Sequence, residues 1–498
     1  MADVARSPHA SEWYAAMQSE YNSMMANRVW ILTSLPNGRK ALKSKWVWKV
    51  KYLPSGDVER FKARLVIKGF LQMAGVDFTD TFAPVLRLEN LRVFCTMIAL
   101  LDLNTVQIDI KTAFLHDDLD EEIYMAQPEG FVDHDRPNDV CLLKKSLYGL
   151  KQAPRQWHKK LHEFLRSINF KQCFKDQCVY VKSNSQIGTT TYLAVYVDDI
   201  VIAVRDKTEL TSTTDLIKTS FEVTNKGELE YILGIHVIRD RSLKTLRIHQ
   251  EKFVIELLDR FHMAHCHPVR LKQRNVPYQN LVGALQYLVS ATRPDIANAV
   301  RFLASHNHDY TQTHWRMAKR VLQYLKGSAS LGLTYDGTKN SHPNAFSDVD
   351  FANDLQDSKS ISGTVITLAG AAVIFSSRKQ SLVGHSTTEV EFIAAAEAAK
   401  SIVWLRELLE EMSFVVNSPT YLHVDNQSTI QVVHRSSSHD RTKHIRLRFH
   451  FIKDLVEEGM IKLRYINTKE QVADILTRGI VLAHFEKLQS MLGMTSSQ

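Results

Sequence analysis

The sequence predicts a multidomain protein of mixed class, α+β with α/β character, and three observations lead there. At roughly 150 residues per domain, a chain of 498 residues holds about three units. Short β-rich runs alternate with stretches of helical period along the whole length. Hydrophobic residues make up 44% and charged residues 23%, which is globular usage and excludes a disordered chain. The low counts of Gly (19) and Pro (12) exclude collagen-like and Pro-rich readings.

The first clear element is KSKWVWKVKYLPSGDVERFKARLVIKGF. It alternates, and Pro54-Ser55-Gly56-Asp57 splits it, so it reads as a hairpin. Helical stretches are expected at 89–101, 157–167, 209–220 and 252–261. Between them, VQIDI at 106–110 alternates, and two apolar runs at 192–197 and 200–204 meet at Asp198 and Asp199 as a hairpin in a sheet interior. From about 265 to 340 the chain reads as mostly helical. A third unit opens near 341 with a strand at 345–351 and the β-rich ISGTVITLAGAAVIF. A long helix, a strand, a helix, a strand and a short final helix follow. The expected units are therefore 1–265, 266–340 and 341–498.

The formal charge is +8, compatible with a polyanionic partner without demanding one. It is uneven. Ten Lys/Arg lie between Arg39 and Lys68, with Trp46, Trp48, Tyr52 and Phe61 interleaved; six more lie between Lys144 and Lys160. Each block reads either as a solvated face or as a nucleic-acid contact. Five scattered cysteines give no disulfide framework and suggest a reducing compartment. His262, His265, Cys266 and His267 lack a second ligand pair at zinc-finger spacing, which argues against a metal site. No signal peptide or membrane span is read, so a soluble intracellular protein is expected.

Two sets of acids stand out. Asp109 nears the end of an apolar strand, and Asp198 and Asp199 form a hairpin tip. Carboxylates beside Val, Ile and Leu cost several kcal/mol unless a cation compensates. Magnesium takes such oxygen ligands, and a metal pair about 3.5–4 Å apart suits in-line phosphoryl displacement. The plainer reading is turn chemistry. In the last unit, Asp348 and Asp350 alternate on a strand, and Glu391 follows the capping box Ser386-Thr-Thr-Glu389. Asp425 ends a β-rich run, and Asp474 falls in the final helix. Four carboxylates, one from each of these four elements, would converge on a second metal pair, or would simply serve as cap and first-turn acids.

The words of the sequence then match a family. KARLVIKGF, TFAPV, QIDIKTAFLHDDLDEEIYMAQPEGF, KKSLYGLKQAPRQW, LAVYVDDIVI, LVGALQYLVSATRPDI, FSDVDFANDLQDSKSISG, HSTTEVEFIAAAEAAKSIVWLRELL, HVDNQSTIQVV, RTKHIRLRFHFIKD and EQVADILTRG occur in order. From about Trp13 to Leu492 the chain resembles the reverse transcriptase–ribonuclease H region of copia-type LTR retrotransposon Pol polyproteins. The resemblance implies a right-hand polymerase of fingers, palm and thumb, a helical connection, and a ribonuclease H-like domain. It implies RNA-directed DNA synthesis on an RNA template from a DNA primer with dNTPs, and cleavage of RNA in an RNA–DNA hybrid. Each centre would use two Mg²⁺, with Mn²⁺ as a substitute.

Position by position, the resemblance makes Asp109 and Asp198 the palm metal ligands and Asp199 a weaker neighbour. Lys62 and Arg64 match the fingers cations for nucleotide phosphates. Phe114 matches the aromatic gate against a ribose 2′-OH, and Gln152 the residue lining that pocket. Asp348, Glu391, Asp425 and Asp474 match the metal-binding acids of ribonuclease H, preferred over Asp350 and Glu389. His444 matches a helper in product release or in orienting water. Family members act in cytoplasmic particles before nuclear entry.

Three departures are noted. The chain starts just before the fingers, so the upstream protease and integrase are expected to be absent. The linker between Cys266 and Pro277 is short. His116-Asp117 replaces the usual Asn-Gly pair. A decayed or domesticated nucleic-acid-binding protein without catalysis is the alternative, and a nuclease with a crippled polymerase is a third.

Overall fold

The structure, a computed structural model, describes residues 6–52, 57–116, 119–184, 188–263, 276–352, 357–384, 386–434 and 446–496. Asp117, His265, Cys266, His267, His444 and nearly all of the short linker lie outside the described residues.

Five sheets carry the fold, interleaved with helices, so the mixed multidomain class holds. The apolar runs around Asp109, Asp198 and Asp199 fold into a six-stranded sheet. Its order is Val223–Gly227, Asn104–Ile110, Asp199–Val204, Thr189–Tyr196, Val179–Asn184, Lys171–Gln172. Side chains alternate across a strand, and here both faces are covered. Ile108, Leu193, Val195, Ile200 and Ile202 pack with Trp157, Leu161 and Leu165 of the helix Ala153–Ser167. Ala194, Val201 and Ala203 share a core with the helix Leu88–Leu100. Burial on both sides is why these strands read as nearly continuous apolar runs.

The predicted hairpin forms from Ser44–Tyr52 and Val58–Ile67. Ala63, Leu65 and Ile67 are buried, so Lys62 and Arg64 share the other face. Trp46, Trp48 and Phe61 pack against other side chains and backbone. Trp46 is buried and donates to the Glu129 carbonyl at 3.0 Å. Trp48 and Phe61 pack edge-on against Trp13, at 5.4 and 4.6 Å between centroids. The helix Ala10–Ala26 supplies that Trp.

The helix Leu88–Leu100 joins the units. Residues Asn90 to Ala99 are all buried. Its Arg92 donates to the carbonyls of Val373 (2.8 Å), Ala291 (3.2 Å) and Ser290. One guanidinium thereby ties this helix to the middle helices and to the last sheet.

A second sheet crosses the expected unit boundaries. Its order is Tyr231–Ile232, Ile235–Asp240, Thr245–His249, Gly332–Asp336, Met494–Thr495. Gly332–Asp336 falls in the stretch expected to be a helical connection. Only Leu333 and Tyr335 alternate there as buried apolar side chains, too short a signal beside the helices before it. Those helices, Tyr278–Ala291, Ala297–Ser305 and Gln312–Gly327, pack around Leu285, Leu288, Val300 and Leu322. Below them Arg293 and Asp295 form a bidentate ion pair with side chains 1% and 0% exposed. Tyr324 and Gln489 also donate to Asp295.

The last unit is a five-stranded sheet in the order Ala371–Lys379, Ile361–Leu368, Asn344–Asp350, Thr420–Val424, Ile461–Tyr465. The helix Thr387–Glu411 lies on it through Phe392, Ala395, Ala399, Ile402, Leu405 and Leu409. Asp474 is not in an α-helix as expected. It sits in a 3₁₀ turn, Val472–Leu476. Gln471 caps that turn through the Ala473 amide and donates to the Ser347 carbonyl at 2.9 Å, which holds it on the sheet. Gly363 permits this approach, because a Cβ there would meet the Ala473 carbonyl oxygen at 2.7 Å.

Cys95, Cys141, Cys173 and Cys178 are buried free thiols, and burial pushes each up to about 12. Among the described residues no helix is long and apolar enough to cross a membrane.

Asp295→Ala leaves the Arg293 charge buried without its partner. It is expected to lower unfolding stability by about 3–5 kcal/mol, read as a lower urea midpoint. The double change Arg293→Met with Asp295→Leu should recover most of that loss.

Two candidate metal centres

The first centre follows from strand register. Asp109 and Asp199 sit directly opposite each other across the antiparallel pair of Asn104–Ile110 and Asp199–Val204. Asp198 lies in the turn before the second strand. Val197 in that turn has φ 56°, a conformation that β-branched residues avoid. The Trp157 indole donates to the Val197 carbonyl at 2.7 Å and pins the turn from the helix below. One carboxylate oxygen from each of Asp109, Asp198 and Asp199 lies within 4.8 Å of the others. Burial raises the Asp198 pKa, and the Asp109 and Asp199 charges push it further the same way.

Lys226 escaped the sequence reading. It arrives on Val223–Gly227, the strand on the far side of Asp109. Its ammonium donates to Asp109 at 2.8 Å and to Asp199. A lysine in TNKG carries no sequence signal; only pairing with the central strand brings it in.

The residues expected on the nucleotide side are distributed unevenly. The Arg64 guanidinium lies 4.7 Å from the Tyr148 ring centroid, and its charge acts on Asp198. Phe114 packs edge-on against the same Tyr148 at 5.0 Å. Burial pushes the Tyr148 phenol up to about 12, so it stays a neutral donor. Arg64, Tyr148 and Phe114 therefore form one contact chain beside the acids. Lys62 is half-buried on the Arg64 face, with its pKa lowered by burial and by Arg64. Glu20 faces both cations, and burial raises its pKa. Gln152 is fully buried in an amide network with Gln72, the Asp77 carbonyl and Glu121. It braces the loop rather than presenting a free amide. Gly149 (φ 95°) lets that loop touch the hairpin, since a Cβ there would lie 2.1 Å from the Ile67 carbonyl oxygen.

The second centre gathers acids from four elements of the last sheet. Asp348 stands on the central strand, opposite Gly363. Glu391 comes from the first turns of Thr387–Glu411, where the Ser386 hydroxyl caps the Glu389 amide at 3.2 Å. Asp425 follows Thr420–Val424, and Asn426 caps the next helix through Thr429 at 3.1 Å. Oxygens of Asp348, Glu391 and Asp425 lie within 4.8 Å of one another. Asp350 and Glu389 are not in this group. Asp474 stands beside it, and its charge raises the Asp348 pKa after burial itself. Burial, then Asp348, Asp425 and Asp474, push Glu391 up to about 9.

Three hydroxyl or cationic neighbours hold the acids in place. Thr477 donates to Asp348, Thr468 donates to Asp425 at 2.8 Å, and Arg478 pairs with Asp474. Thr477 and Arg478 follow Asp474 by three and four residues, so one helical turn of spacing was a usable signal. Glu391 Oε2 and Asp474 Oδ1 are buried without a hydrogen-bond partner. Orphaned carboxylate oxygens, like charges at close range and an all-oxygen donor set fit a hard divalent cation.

Glu391 ordinarily titrates near 4.5 and here near about 9. Between those values the folded chain holds a proton that the unfolded chain has lost, so stability falls as pH rises. Without divalent ions, the thermal midpoint of the full chain should therefore drop from about pH 5 to about pH 9. Magnesium should restore more at the alkaline end, and Glu391→Gln should flatten the slope.

Residues 27–274 match the family described as reverse transcriptase (RNA-dependent DNA polymerase). The chain is 37% identical over 521 residues to the retrovirus-related Pol polyprotein from transposon TNT 1-94 of Nicotiana tabacum, covering 100% of this chain and 39% of that protein. It is 34% identical to the Pol polyprotein from transposon RE1 of Arabidopsis thaliana, covering 97% of this chain and 34% of that one. The chain thus spans well under half the length of these relatives. A solved structure of foamy viral protease-reverse transcriptase in complex with RNA/DNA hybrid aligns over 91% of this chain and 53% of that one, at 12% identity and a TM-score of 0.44. The acids of the six-stranded sheet lie inside the matched segment, and the chain belongs to the reverse transcriptase family of copia-type transposon Pol polyproteins.

Proposed function

We propose that this chain is an RNA-directed DNA polymerase that also degrades the RNA strand of RNA–DNA hybrids. One observation carries the reading. Two separate clusters each bring three carboxylates from distant segments to within 4.8 Å, at a cost that divalent cations would remove. The proposed units are 1–265 for fingers, palm and thumb, 266–340 for the connection, and 341–498 for the nuclease. The strand pairing of 245–249 with 332–336 supports a thumb and connection that act as one body.

Asp109 and Asp198 would hold magnesium, or manganese in its place, in the first centre, and Asp348, Glu391, Asp425 and Asp474 in the second; such ions offset the charge that builds on a phosphate under in-line attack. In the first reaction, the primer 3′-oxygen bonds to the α-phosphorus of a dNTP and pyrophosphate leaves. Asp199 shares the negative field and holds Lys226 across it. Arg64, with a planar fork that suits phosphate, and Lys62 take up triphosphate charge. Phe114 closes the ribose side against a 2′-OH, braced edge-on by Tyr148. Gln152 keeps the adjoining loop rigid.

In the second reaction, water bonds to a phosphorus of the RNA strand and the 3′-oxygen leaves, so the downstream fragment keeps a 5′-phosphate. Thr477 and Thr468 fix the carboxylate orientations, and Arg478 limits repulsion at Asp474. Template RNA, DNA primer and hybrid are the proposed partners. A net charge of +8 supports a phosphate-rich partner.

Extension of oligo(dT) on poly(rA) with Mg²⁺ tests the polymerase. Asp198→Asn should lower it about a thousandfold, the equivalent of roughly 4 kcal/mol of lost transition-state stabilisation. Asp425→Asn should abolish cleavage of a labelled hybrid and leave extension near wild type. Hybrid binding without either turnover would instead establish a non-catalytic binding protein.

A further inference from the structure

Beside the second centre lies a cavity of about 580 Å³ that neither reaction uses. It sits between the helices Ala297–Ser305 and Gln312–Gly327 and the segment that follows Asp474. Phe302, Met317, Val321, Ile475 and Phe485 make its walls apolar and partly aromatic. Phe302 and Met317 remain 39% and 43% exposed, so this apolar surface is left uncovered by the chain itself.

Three cations line it, Arg301, Arg320 and Arg478; Arg478 is paired with Asp474 across the segment, and Arg301 donates to Asn298 at 2.9 Å. The only carboxylate in the wall is Asp295, which is already neutralised by its bidentate bond to Arg293 and by Tyr324 and Gln489. Among the described residues Arg320 makes no ion pair. Asn298 adds an amide to the same wall, its Oδ1 accepting from Arg301, while the Tyr324 hydroxyl is taken up by Asp295 and Gln489. On its other side, the segment 478–480 borders a smaller cavity of about 320 Å³ that Asp474 also lines.

Aromatic walls take a base by its face, arginine forks take a phosphate, and an amide reads a base edge. A pocket of this volume is within the range that encloses a small ligand. We infer that this cavity binds a nucleoside 5′-monophosphate group, with the base against Phe302 and Phe485 and the phosphate on the arginines. The group has two sources: a free nucleotide, or the 5′-phosphorylated end of an RNA strand. The second source rests on the nuclease reading above, since that hydrolysis leaves a 5′-phosphate on the downstream fragment.

Calorimetric titration of the full chain with AMP tests this. EDTA is present, so that neither acid cluster can hold a nucleotide through a metal. One site is expected, with adenosine and inorganic phosphate each at least about tenfold weaker. Arg320→Glu, which reverses a wall charge, and Ala299→Trp, which fills the cavity, should each weaken AMP at least about tenfold, with unchanged thermal midpoints. A 5′-phosphorylated RNA hexamer that outcompetes its 5′-hydroxyl twin assigns the RNA end. Equal competition by the two hexamers assigns the free nucleotide. AMP binding no tighter than adenosine, or undiminished in both variants, overturns the proposal. Hybrid cleavage measured on the same preparation separates the two readings. AMP binding without cleavage removes only the nuclease, and cleavage without AMP binding removes only the pocket.

Discussion

Carboxylates do not gather in a protein interior for stability. Each buried acid loses hydration, and each neighbour of like sign adds repulsion, so a cluster of them persists only where the fold compels it. This chain gathers acids twice, half-buried in the first cluster and largely buried in the second. In the six-stranded sheet the register of two strands leaves Asp109 facing Asp199, with Asp198 held in a strained turn. In the last sheet four elements converge on Asp348. Much of the surrounding architecture answers the resulting field: Lys226 spans the first cluster, Arg478 pairs with one member of the second, and Thr468 and Thr477 donate to two others.

Positioning two such clusters needs a rigid frame, and buried arginines supply part of it. Arg92 leaves a helix that is buried almost throughout and collects carbonyls from two other units. Arg293 and Asp295 neutralise each other at the foot of the middle helices, and Gln489 extends that network to the C-terminal helix Leu482–Met491. Both are costly devices unless fully satisfied, and both are nearly so. The sheet that draws strands from 231–249, 332–336 and 494–495 adds a second tie, made of backbone hydrogen bonds.

The hairpin at 44–67 divides its labour by face. Its aromatic side chains are spent on a core with Trp13 and Phe131, and its cations Lys62 and Arg64 are left on the other face, where Arg64 meets Tyr148 and acts on Asp198. A block of alternating Trp and Lys therefore reads as one nucleic-acid patch in the sequence but is two surfaces in the fold. Gln152 shows a related shift. Its motif suggested a pocket lining, and its amide is consumed by Gln72, Asp77 and Glu121.

Local pattern was enough for what depends on neighbours along the chain. Apolar runs determined the strands beneath Asp109 and Asp198, the capping box at Ser386 determined where the Glu391 helix starts, and ordered motifs pointed to the family. Tertiary structure alone decided what depends on partners far away in sequence. Lys226 reached the first cluster only through sheet pairing. The Asp474 turn gave up helical geometry to dock beside Gly363, and the strand at 332–336 formed because the Thr245–His249 strand offered an edge. Periodicity records which face of an element is dry, whereas register and docking are settled by contacts between segments that share no local pattern.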